Sequence, residues 1–177
     1  MKQAGKLAIL IFLVLVSGFY QEKLKISINY IIEQAAKMPG FFEQTPDKKM
    51  EWIELARVSA PFDYYHNHQT ITWLYQLESR QLSMLKWGVT GFFLLWFLIL
   101  NILLLKTLTV SHEIIRYIPL LYVFLIVMSL VFYGVGSISG QHQIAYTISR
   151  RVMGALQSVI PVLILWPASR LWNRSNL

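Results

Sequence analysis

The sequence contains no cysteine. That absence excludes disulfides, thiolate metal sites, a cysteine nucleophile and a lipid-modified cysteine anchor. It leaves the compartment open. Charge is scarce as well: 14% of the 177 residues are Asp, Glu, Lys or Arg, against about 25% in an ordinary soluble domain. Acidic residues are the scarcer sign, nine against sixteen Lys and Arg. There is no Gly-rich phosphate loop, no internal repeat, no heptad array and no low-complexity tract. The net charge of +7 does not point to nucleic acid, because no basic run with interleaved aromatics would track a phosphate backbone.

What the chain has in excess is apolar surface. Hydrophobic residues make up 55% of it, and the mean hydropathy is +0.48. The stretch Trp87–Lys106, WGVTGFFLLWFLILNILLLK, carries no charge before its last residue. It is long enough to cross a bilayer, whose hydrocarbon takes about 20 residues of helix. Residues 117–136 form a further apolar run, and residues 152–172 another, interrupted by Gln157-Ser158, Pro161 and Pro167. Prolines in a spanning helix are tolerated where neighbours satisfy the freed carbonyls, so a kink is expected in the last run.

Residues 1–20 open with Lys2 and Lys6 and continue as an apolar run from Leu7 to Val16. Two readings stand. Val16-Ser17-Gly18 offers small residues of the kind a signal peptidase cuts beside, or the helix continues through Phe19 and Tyr20 as an uncleaved anchor with its aromatic rings at the interface. We take the anchor as the working reading; both place the polar stretch after Tyr20 on the same, outer side of the membrane.

Residues 21–86 are the only sizeable polar stretch, and basic and acidic residues balance within it. Leu24, Ile28, Ile31, Ile32 and Ala35 recur at helical spacing, and Pro39-Gly40 ends that run. The alternation of Leu24, Ile26, Ile28 and Tyr30 is also compatible with a strand; helix is the expectation. Thr45-Pro46 reads as the start of a second helix, reaching about Val58. From Thr70 a helical pattern runs through Leu74, Leu77, Leu82 and Leu85 into Trp87 without a breaker, which predicts one long helix. Residues 137–151 are expected to be an outer loop turning at Gly140.

The short flanks set the orientation. With both termini inside, Lys2, Lys6, Lys106, Arg116, Arg170 and Arg174 lie on the cytoplasmic side against Glu113 alone, as the positive-inside rule prefers. Arg150-Arg151 on the outer side is the one exception. The expected fold is therefore an all-α integral membrane protein of the inner (cytoplasmic) membrane. It has four transmembrane helices, N-in/C-in, a small helical extracytoplasmic domain between spans 1 and 2, and a cytoplasmic tail at 173–177.

Candidate functional residues fall into three sets. Asp63, Tyr64, Tyr65, His66 and His68, in the run FDYYHNH, are the densest group of polar side chains. On an extended backbone His66 and His68 point to one side and, with Asp63, would suit zinc or copper; otherwise they line the outer interface or meet a partner. Arg150 and Arg151 suit lipid headgroups, an internal carboxylate such as Asp63 or Glu78, or a carboxylate on a partner. Asn101, Gln157 and Ser158, within the apolar runs, are expected to hydrogen-bond between helices. No Asp, Glu, Lys or Arg is expected in the middle of a span, which argues against an ion-coupled pump. Ser139 and His142 lie near one another without an activating third group, so the chain is not expected to be an enzyme, and no cofactor is called for.

The runs PFDYYHNHQTITWLYQL and ISRRVMGALQSVIPVLILWPA, with LKW opening the second span, resemble the small membrane proteins found beside exosortases in Bacteroidetes, of the exosortase X-associated type. Exosortases are multi-spanning cysteine transpeptidases that cut and sort C-terminally tagged secreted proteins at the outer face of the inner membrane. A chain without cysteine cannot be the transpeptidase. The resemblance implies an accessory or scaffold subunit, in contact with the lipid bilayer and a larger membrane protein partner. The reading from another class is a metal- or ligand-binding membrane sensor or transport subunit built on His66 and His68.

Overall fold

The computed structural model describes residues 2–59, 71–108, 110 and 112–175. Among them the chain is all helix, with no strand. Seven α-helices occur in order: α1 Lys2–Lys37, α2 Pro46–Ser59, α3 Ser79–Thr107, α4 His112–Arg116, α5 Ile118–Ile138, α6 His142–Leu156 and α7 Ile160–Ser175. Short 3-10 turns lie at Phe41–Glu43 and Thr72–Gln76. Three stretches are long and apolar enough to cross a membrane, Gln3–Lys37, Ser79–Thr107 and Ile114–Ile138; α6 and α7 make a fourth if the pair is one span bent by 63°.

Several boundaries differ from those expected. The first expected span and the helix after it are one continuous α1, because no proline lies between Val16 and Lys37, the single Gly18 is tolerated within a helix, and the helical spacing of Leu24, Ile28 and Ile31 continues it. The long helix predicted from Thr70 is divided. Leu77 is extended, and α3 begins after Glu78, whose backbone N–H donates to Gln81 Oε1 at 3.0 Å. A glutamine at the third helical position reaching back in this way is half of a capping box.

The largest difference is in the last third. Residues 142–151 are not a loop. Gly140, at φ 75°, turns the chain in a backbone conformation that favours glycine, and α6 starts two residues later. The run 152–172 is bent where a kink was expected, as a break at residues 157–159. Pro161 lacks the N–H that would bond the carbonyl of residue 157, and it sits where proline suits the start of a new helix.

Two compact units emerge, Met1–Gly18 with Phe93–Leu177, and Phe19–Phe92. In the second, Ile28, Tyr30, Ile31, Phe41, Ile53, Leu74 and Leu82 form the buried core. Trp52 of α2 packs against the Phe41 ring at 6.4 Å between centroids, and the buried Lys49 sets its ammonium 5.7 Å from the Phe42 ring.

In the first unit α1 and α3 run antiparallel. Gln3 Nε2 donates to the Thr107 carbonyl at 2.8 Å, and Trp96 Nε1 to Ser17 Oγ at 2.8 Å. The hairpin of α5 and α6 is closer still. Gly136 faces Ala145, and a Cβ added at Gly136 would overlap that of Ala145. Further along the hairpin, Ser149 Oγ donates to the Ser129 carbonyl at 2.8 Å and Ser129 Oγ to the Ser149 carbonyl at 3.3 Å. In lipid there is no hydrophobic force between helices, so small residues that let backbones approach, and hydrogen bonds across them, carry the association. Gly136→Ala should therefore destabilise the hairpin by about 1–3 kcal/mol, the usual cost of overpacking. Thermal unfolding in detergent checks this, with the open-sided Gly134→Ala as the comparison that should be near neutral.

Candidate functional site

The hydrogen-bond node of the first unit sits where α6 gives way to α7. Ending α6 at Leu156 removes the helical partner of its carbonyl, because Ile160 N–H turns instead to Ser158 Oγ at 3.1 Å. Tyr122, on α5, donates its hydroxyl to the Leu156 carbonyl at 2.7 Å. Asn101, fully buried on α3, donates Nδ2 to the Tyr122 hydroxyl at 2.7 Å and to the Ser158 carbonyl at 3.0 Å. Three helices and the break are thus joined by three polar residues, and the carbonyl freed by the bend finds a donor. Asn101 Oδ1 is buried and takes no hydrogen bond among the described residues. Gln157 is buried beside the same break.

The hairpin register fixes the height of the residues after Ser149. The 21 residues of α5 span about 31 Å at about 1.5 Å each, and Ser129 lies near their midpoint. Its reciprocal hydrogen bonds place Ser149 at the same level. Arg150 and Arg151 are the next two residues on α6, and both are exposed. With Gln143, Thr147 and Gly154, also exposed, they occupy one helical face. The opposite face, with Ala145, Ser149 and Leu156, is buried on α5. Thr147 turns its hydroxyl to the Gln143 carbonyl at 2.8 Å, which leaves the arginines as the chemistry of that face.

Arg150 and Arg151 therefore lie on α6, eight and nine residues past its start at His142, where the sequence had suggested the end of a loop. The reason is the Gly140 turn: α6 starts ten residues before the expected fourth span, so the arginines lie well down the returning helix. Among the described residues neither guanidinium forms an ion pair.

Asn101 and Ser158, named from the sequence, come together through the Ser158 carbonyl. Asp63, Tyr64, Tyr65, His66 and His68 lie outside the described residues, and no group of three or more His, Asp or Glu able to hold a metal occurs among the described ones. Tyr122, Ser129, Gly136, Ala145 and Ser149 were not singled out from the sequence. The signal was present: Tyr122, Ser129 and Gly136 recur every seven residues, two helical turns, and Ala145 and Ser149 are one turn apart. No family model, curated protein or solved structure matches the chain.

Tyr122→Phe should strand the Leu156 carbonyl and cost about 1–2 kcal/mol, the range for an unsatisfied buried group moderated by the small net strength of such bonds in bundles. Asn101→Leu should cost less when Tyr122 is already Phe. Unfolding of the two single variants and the double variant in detergent measures that coupling.

Proposed function

We propose that this chain is a non-enzymatic accessory subunit of an envelope protein-sorting system of the exosortase kind, binding a larger membrane protein through the arginine-bearing face of α6. In this reading α1, α3, α5 and the bent pair α6–α7 are four crossings of the inner membrane, with both termini cytoplasmic and residues 21–86 outside. The asymmetry of basic residues at the span ends supports that orientation, and the sequence resemblance supports the type of partner.

The observation that carries the proposal is the level of Arg150 and Arg151 beside the middle of α5, which in this four-crossing reading is near the bilayer centre. A charged side chain at the bilayer centre costs about 2.5–3.5 kcal/mol. Two of them would consume much of the roughly 5–15 kcal/mol that separates folded from unfolded chains. Snorkelling relieves this near a helix end, but the centre is about 15 Å from either interface, beyond an arginine's reach. A carboxylate on a neighbouring spanning helix is the economical counter-charge: it holds a guanidinium through two parallel hydrogen bonds and neutralises it. The partner is then a membrane protein with an acidic residue at mid-span.

Deleting the gene should leave C-terminally tagged cargo uncut in the inner membrane. Arg150→Gln with Arg151→Gln should reproduce that loss at normal abundance, and the transpeptidase should no longer co-purify in mild detergent. Normal cargo processing in the deletion strain would overturn the proposal.

A further inference from the structure

At the end of the α1–α3 pair opposite to Ser17 and Trp96 lies a cavity of about 690 Å³ lined by Gln3, Lys6, Ile9, Leu10, Leu103, Lys106 and Thr107. Its composition is layered. Lys6 of α1 and Lys106 of α3 stand at the rim. One turn deeper on each helix come the aliphatic residues, Ile9 and Leu10 on α1 and Leu103 on α3. The two helices run in opposite directions, yet both present charge outward and hydrocarbon inward, so the cavity is amphipathic along the bundle axis. Across its mouth, Gln3 Nε2 donates to the Thr107 carbonyl at 2.8 Å and holds the two helix ends together. Among the described residues neither ammonium has a carboxylate partner.

We propose that this cavity is a binding site for an anionic phospholipid, its phosphate between Lys6 and Lys106 and an acyl chain against Ile9, Leu10 and Leu103. Charge and shape both select that occupant. Two ammonium groups attract a phosphate whose lipid carries net negative charge, whereas a zwitterionic lipid brings its own cation to the same place. The apolar walls below the lysines are the depth at which acyl chains begin. Basic pockets between spanning helices are the form such headgroup sites take, and lysine serves phosphate as a compact point charge with three donors. The site is separate from the arginine face of α6 and does not rest on the accessory-subunit reading.

The test is lipid titration of the purified full chain in non-ionic detergent, read by native mass spectrometry. The probes are dioleoyl phosphatidylglycerol, dioleoyl phosphatidylcholine and inorganic phosphate. Phosphatidylglycerol should bind the unaltered chain about thirtyfold more tightly than the Lys6→Gln, Lys106→Gln double variant, roughly fivefold for each lysine. Phosphatidylcholine should bind the two alike and weakly. Leu103→Trp, which fills the cavity and keeps both charges, should also weaken phosphatidylglycerol. The exposed lysines carry no core packing, so helix content and elution volume should be unchanged in the double variant. Equal affinity of the double variant for phosphatidylglycerol would overturn the proposal, as would phosphatidylcholine bound as tightly as phosphatidylglycerol. Inorganic phosphate bound as tightly as lipid would show an anion site without a lipid, and a second copy of the chain displacing lipid would show a dimer groove; either result overturns the assignment.

Discussion

The close approach of α5 and α6 is the constraint on which the helical bundle of the first unit depends. It exists because Gly136 has no Cβ and Ala145 has a small one. Once the backbones are that near, the serine hydroxyls at 129 and 149 reach each other's carbonyls. Those bonds allow one register and no neighbouring one, since a slip of one residue would turn both hydroxyls away. Everything downstream inherits that register: the height of Arg150 and Arg151, the meeting of Leu156 with Tyr122, and the position at which the chain bends into α7.

The bend is a second economy of the same kind. A broken helix in an apolar setting exposes carbonyls that water cannot reach, and each must find a donor within the protein. Here Tyr122 and Asn101 supply donors to Leu156 and Ser158, and Ser158 caps the N–H of Ile160. The break is therefore built into the bundle. Polar residues within greasy helices act here as fittings for a discontinuity, a more local role than general interhelical adhesion.

Much of this was legible in residues. The apolar runs at 87–106 and 117–136 are recognised by length alone, because lipid demands a fixed thickness of apolar helix. Thr45-Pro46 and Pro39-Gly40 mark helix ends by backbone chemistry that any context preserves. The cap at Glu78 was harder, since Gln81 resembles an ordinary polar residue until the chain stops at Leu77. The nature of 137–151 was obscured by its polarity. Gln143, Thr147, Arg150 and Arg151 look like a loop when counted, but they share one face when wound at 3.6 residues per turn. The alternation of that face with Ala145, Ser149 and Leu156 was the overlooked sign of an amphipathic helix. The tyrosine and histidine cluster at 63–68 lies outside the described residues, so its chemistry rests on the sequence alone.

The measurement that bears most directly on this account is disulfide cross-linking across the hairpin in native membranes. The chain has no cysteine, so an introduced pair would be the only one present. Ser129→Cys combined with Ser149→Cys should cross-link rapidly under mild oxidation, because a disulfide forms when the Cβ atoms are about 3.5–4.5 Å apart. Ser129→Cys combined with Thr147→Cys, on the opposite face of α6, should not. Efficient cross-linking of the 129 and 147 pair, with none at 129 and 149, would contradict the register and with it the placement of the arginines beside the middle of α5.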